Sequence, residues 1–141
     1  MTPRTWPAGL FRLTTTVAAV LACNQAVFAG QFLSGTYVAL RLHRDGSTYT
    51  VAAVASTVLA AVLWRRLGRG PAWPIPATMA LVALTAVQTF LGYRLVLAVH
   101  IPLGVTVIML LIALTVAGWR RGPVRSASVR GLIASGRERG R

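Results

Sequence analysis

The chain has 141 residues, 55% of them hydrophobic and only 12% charged, and fifteen basic residues against two acids set its net charge at +13. A water-soluble domain carries about twice that share of charge, so the composition is that of a membrane protein; at roughly 20 residues per spanning helix, four helices with their loops and tails fill it. The only acids, Asp45 and Glu138, exclude paired-carboxylate catalysis, and the single Cys23 excludes an internal disulfide or a cysteine-based metal cluster.

Residues 1–10 form a short tail carrying Arg4, and the first apolar run, Phe11 to Ser34, predicts a spanning helix over about 11–34. Val20-Leu21-Ala22-Cys23 approximates a lipoprotein cleavage box. The run nevertheless continues through Ala26, Val27, Phe28 and Phe32, as a spanning helix does and the linker of a cleaved signal does not, so Cys23 is expected to be a small buried thiol. The second run, Val51 to Leu63, is short for a bilayer. It becomes long enough if its helix spans about 38–65 and carries Arg41, His43 and Arg44 in its first turns; a start after Gly46 would instead leave His43 in a loop. Two more helices are predicted over about 75–92 and 95–119, the last with Pro102 near its start, where proline is tolerated. The four helices make up a transmembrane domain over 11–119. The tail 120–141 is arginine-rich and broken by Gly122, Pro123, Gly131, Gly136 and Gly140, too polar to pack as a domain. It reads as a basic cytoplasmic anchor whose arginines attract anionic lipids, at about 1 kcal/mol each near the surface.

All fifteen basic residues are arginines, and twelve flank the ends of the spans on one side: Arg4 and Arg12, Arg65 to Arg69, and Arg120 onward. Only Arg41, Arg44 and Arg94 fall on the other. The positive-inside rule then places both termini and the middle loop in the cytoplasm of a cell whose plasma membrane the chain crosses four times. Trp6, Trp64, Trp73 and Trp119 mark the same ends, and Tyr37, Tyr49 and Tyr93 the opposite ones. The arginines punctuate apolar runs and do not form a basic face, so nucleic acid is not an expected partner.

Compared with itself, the chain superposes Gln31 on Gln88, Gly35 on Gly92 and His43 on His100 at an offset of 57; Gly46 meets Gly104 with a one-residue slip. The matched residues are the rare ones. The expected fold is therefore all-α, an integral membrane four-helix bundle of two tandem two-helix repeats with both termini inside, each repeat turning at Gly35 or Gly92 and entering its second helix with a histidine. His43 and His100 then sit at equal depth on facing helices.

Polar groups inside a membrane mark function or join helices. For Asn24, Gln31 and Gln88, hydrogen bonding between helices and contact with a cofactor both account for the residue type. His43 and His100 are the only neutral nitrogen ligands, and two ligands suit axial haem iron better than zinc, which takes three or four. Gly46 and Gly104 leave space beside a macrocycle, and Arg41, Arg44 and Arg94 lie at the end where propionates are held by charge-assisted hydrogen bonds. The competing reading makes both histidines interfacial residues bonded to water or headgroups. Transport has one candidate carboxylate, Asp45, flanked by Arg44 and better suited to an ion pair than to proton cycling.

Gln88-Thr89-Phe90-Leu91-Gly92, followed by His100 with Leu103 and Gly104, resembles the Gln-x-x-Leu-Gly and histidine pattern of the haem A synthase (cytochrome oxidase assembly) family. The likeness covers about residues 24–118, one four-helix unit of that family; the all-arginine, alanine-rich composition also resembles small four-helix membrane proteins of high-GC actinobacteria. It implies that His43 and His100 are axial ligands and that Gln88 and Gly92 pack against the site. The family's reactive glutamate, one turn before a histidine, has no counterpart: Leu40 and Leu97 stand there. A second four-helix unit is missing too. The resemblance thus implies haem b in electron transfer or in haem handling, such as supply to a respiratory complex, without haem A synthase activity. The alternative function is a non-catalytic structural or assembly subunit of a membrane complex, with no cofactor.

Overall fold

The computed structural model describes residues 5–120; Arg4 and the basic tail from Arg121 onward lie outside them. The described chain is all-α: α1 (Trp6–Leu33), α2 (Val38–Leu67), α3 (Pro74–Tyr93) and α4 (Leu97–Arg120). All four are long and apolar enough to cross a membrane. At 1.5 Å per residue, α3, with 20 residues, spans about 30 Å, the thickness of the hydrocarbon layer, whereas α2, with 30, spans about 45 Å. The second helix therefore overshoots, and its first turns carry Arg41, His43 and Arg44. The first helix begins five residues before the expected start because Trp6-Pro7 opens it, proline being favourable in a first turn.

The helices form a ring in which α1 contacts α2 and α4, and α3 contacts α2 and α4, while α1 and α3 occupy one diagonal and α2 and α4 the other. Two tight turns close the hairpins at one end of the bundle. In the first, Gly35 adopts φ +95° and Thr36 N–H donates to the Gln31 carbonyl at 2.9 Å. In the second, the equivalent left-handed residue is Leu95, at φ 57°, and Val96 N–H donates to Leu91 O at 3.0 Å. The expectation that Gly92 caps α3 is thus corrected: Gly92 stays helical, and a leucine takes the strained position.

Packing divides the bundle into two halves. Away from the hairpin turns the interior is dry: Phe11 meets Trp64 with ring centroids 5.0 Å apart, and Val54, Leu81, Val107, Leu111 and Leu114 fill the space between. Inside a bilayer lipid tails are as apolar as leucine, so helices associate through close packing rather than by escaping water. Ala18, Ala22, Ala60 and Ala61 permit that approach. The buried hydroxyls of Thr15, Thr57, Thr78 and Thr85 each donate to a carbonyl three or four residues back, which satisfies them without a partner helix. At the far end Arg12 Nε donates to Gly118 O at 3.1 Å and Trp119 Nε1 donates to Thr16 Oγ1 at 3.2 Å, fastening α1 to α4.

The buried positions repeat. Phe11, Thr15, Ala18 and Ala22 of α1 correspond to Pro74, Thr78, Leu81 and Thr85 of α3, and Thr50, Val54, Thr57 and Ala61 of α2 to Val107, Leu111, Leu114 and Gly118 of α4. Val20, Leu59, Met79 and Met109 point outward, as lipid-facing side chains do. Cys23 is exposed on α1, contrary to the expected burial, because Ala22 takes the interior position of that turn.

A left-handed conformation costs a residue with a Cβ about 1–2 kcal/mol. Leu95→Gly is therefore expected to raise the unfolding free energy of the detergent-solubilised protein by about 1 kcal/mol, and Gly35→Ala to lower it by a similar amount, both read by denaturant titration.

Candidate histidine site

Apart from Ala39, interior burial stops near Ala22, Thr50, Thr85 and Val107, and the half nearer the hairpin turns is lined by polar and small residues instead. There His43 of α2 and His100 of α4 meet across the bundle from opposite corners, with ring centroids 6.2 Å apart and ring planes at 84°. Both are half-buried.

Each ring is held by the preceding helix of its own hairpin. His43 Nδ1 lies 3.0 Å from the main-chain oxygen of Gln25, and His100 Nδ1 lies 2.9 Å from that of Gln88. A carbonyl only accepts, so Nδ1 carries the proton in both rings and the neutral imidazole leaves Nε2 as an acceptor. Among the described residues neither Nε2 has a hydrogen-bond partner. A ring nitrogen bonded to a backbone carbonyl, with the other left bare, is the arrangement in which histidine ligates a metal.

Glycines make this arrangement possible. A Cβ on Gly92 would stand 2.9 Å from His100 Cε1, so the ring sits close against bare backbone. One on Gly104 would stand 2.9 Å from Gln88 Nε2, and one on Gly46 would overlap Gln25 Nε2. The two glutamine side chains thus rest over two glycines of the adjoining helices. Gln25 Oε1 is buried there without a hydrogen-bond partner, an arrangement that costs on the order of 1–3 kcal/mol.

The sequence-predicted residues separate into two groups. His43, His100, Gln88, Gly46, Gly104 and Gly92 come together. Gln31 does not: it lies exposed near the end of α1, where its carbonyl accepts from Thr36, and Gln25 occupies the position equivalent to Gln88. Asn24 is exposed beside it. Arg41 and Arg44 flank His43 in sequence but line a separate cleft with Asp45 and Tyr93, because neighbours two positions apart and one apart on a helix face other directions. Arg94 is exposed in the second turn, where its N–H donates to Phe90 O. Gln25 carried a signal the single offset of 57 missed, since it precedes Gln88 by the same 63 residues that separate Thr15 from Thr78.

His43 and His100 are thus two imidazoles on diagonal helices, each with an unprotonated Nε2 and with ring centroids 6.2 Å apart, a pair of nitrogen donors that could hold a metal ion. A site of three or four protein ligands does not form, since no group of three His, Cys, Asp or Glu side chains clusters among the described residues.

Gly92→Ala is expected to lower the melting temperature of the purified protein and cost about 1–3 kcal/mol, because the new methyl strikes a packed ring. Gly30→Ala, in the same bundle but with nothing near its Cβ, is expected to gain about 0.5–1 kcal/mol from helix propensity. Compared with family models, with curated proteins and with solved structures, the chain gives no match.

Proposed function

We propose that this multi-pass membrane protein holds haem b between His43 and His100 and serves in electron transfer or in haem handling. The observation that carries the reading is the mirrored bonding of the two rings: each Nδ1–H is spent on a backbone carbonyl, each Nε2 is bare, and the rings stand 6.2 Å apart across the bundle. The donor set suits the group, since His43 and His100 would each offer it one unprotonated imidazole nitrogen. Bound haem would supply one-electron chemistry. The chain's own part is to orient: the carbonyl bonds fix the tautomer of both imidazoles and would hold them in place against the group. Gly46 and Gly104 provide the floor, with Gln25 and Gln88 as the side chains that yield room over them.

The matching buried positions and the two similar turns support a tandem duplication of one two-helix unit. The arginine bias supports cytoplasmic termini and a histidine site near the outer face of the plasma membrane. Leu40 and Leu97 stand one turn before the histidines, where the family that the sequence resembles carries a reactive glutamate, which supports a role other than haem A synthesis. A structural subunit of a membrane complex is the competing function, and it predicts a colourless protein that co-purifies with a partner.

The test is the visible spectrum of detergent-purified protein expressed with ample haem, oxidised in air and then reduced with dithionite. A sharp Soret band with resolved alpha and beta bands, at about one haem per chain, is expected. His43→Ala and His100→Ala should each abolish the low-spin signature while the protein still enters the membrane, and Gln31→Ala should leave it unchanged. A colourless wild type, or low-spin spectra retained in both histidine variants, would sink the reading.

A further inference from the structure

The second helix overshoots the third. Tyr93 is the last residue of α3, and Arg44 of α2 lies level with it, the guanidinium 5.8 Å from the ring centroid. From Arg44 back to Val38, α2 continues for about 9 Å beyond that level, leaving one flank without a neighbouring helix. Under this ledge is a cleft of ≈ 400 Å³ whose chemistry comes from Tyr37, Arg41, Arg44, Asp45 and Tyr93, a volume in the range of small-molecule sites.

Three features single the cleft out. Its two arginines form no ion pair with Asp45 or with any other described residue, although all three line one space. Two of its walls rest on ring contacts: the Arg44 guanidinium lies over the Tyr93 ring, and Tyr37 packs edge-on against Phe32 at 6.3 Å. The second hairpin has nothing like it, since the positions of α4 corresponding to Arg41, Arg44 and Asp45 are Ala98, Ile101 and Pro102. Spanning the bilayer does not require the charges, as α4 shows by doing without them.

We propose that the cleft binds the phosphoethanolamine headgroup of a membrane phospholipid, its acyl chains running down the lipid-facing side of α3. The phosphodiester accepts from the guanidinium groups of Arg41 and Arg44, which match a phosphate in charge and in fork geometry. The primary ammonium donates to the Asp45 carboxylate. A carboxylate in the cleft disfavours a purely anionic headgroup such as glycerol phosphate, and a trimethylammonium has no N–H to give it. The depth agrees: Arg44 lies at the end of the 30 Å or so that α3 spans and residues 37–41 beyond it, at the headgroup layer. The proposal does not depend on haem binding, and holds whichever leaflet the hairpin end faces.

The test uses the full chain in phosphatidylcholine nanodiscs doped in turn with phosphatidylethanolamine or phosphatidylglycerol, with lipids retained after release from the disc read by native mass spectrometry. Wild type is expected to retain phosphatidylethanolamine over both other lipids. R41Q/R44Q should reduce that retention about tenfold or more, and D45N should erase the preference over phosphatidylglycerol, a change of about fivefold, while lipid is still held. Size-exclusion profiles and circular dichroism verify that the variants fold. On wild type, soluble glycerophosphoethanolamine at the lipid's concentration should not displace it. Equal retention of the three lipids, retention unchanged in R41Q/R44Q, a preference for phosphatidylglycerol indifferent to D45N, or displacement by the soluble ester would each overturn the proposal.

Discussion

The hydrogen bond from each histidine Nδ1 to a main-chain carbonyl of the preceding helix organises the half of the bundle nearer the turns. Each ring is turned into the bundle and partly buried there, where its N–H needs a partner within the protein, and it finds one in a carbonyl of a helix backbone, which is fixed in space. That bond sets the tautomer and the ring orientation, and ties α1 to α2 and α3 to α4. Gly92 follows from it, because the ring of His100 needs bare backbone to lie against. So does the strain at Leu95: with Gly92 kept in the helix, the left-handed turn falls three residues later, on a leucine.

The two halves of the interior do different work. The half toward the termini is packed with Phe11, Trp64 and the leucines of α4, and is closed by Arg12 and Trp119. It needs no cofactor to be full. The half toward the turns is filled by two glutamine side chains over two glycines, with one amide oxygen buried and unpartnered. Polar groups left short of partners within a membrane are costly, and a bundle with one complete half can support the cost in the other. The asymmetry between hairpins is superimposed on this: α2 rises past its neighbours with charges that α4 lacks.

Four helices, their approximate limits and the two histidines as the centre of interest were legible in the amino-acid sequence. Span length and hydrophobicity are properties of one chain segment at a time, imposed by the thickness of hydrocarbon, so they can be read along the chain without knowing what packs where. His43 on a helix, the pairing of His43 with His100, and the small residues Gly46 and Gly104 beside them follow from rare residues recurring at matching places.

Only the tertiary structure decided that Gln25, and not Gln31, stands opposite Gln88. The physical reason is the antiparallel hairpin. The first hairpin is longer than the second by about one turn on each arm, and lengthening a hairpin moves its two helices in opposite sequence directions. The turn residues Gly35 and Leu95 are therefore 60 apart, the α2 and α4 positions 57, and the α1 and α3 positions 63. No single offset matches both arms at once. In the same way Arg41 and Arg44, neighbours of His43 in sequence, were separated from it by the rotation of the helix, and came to face Tyr93 only because α3 ends where α2 continues.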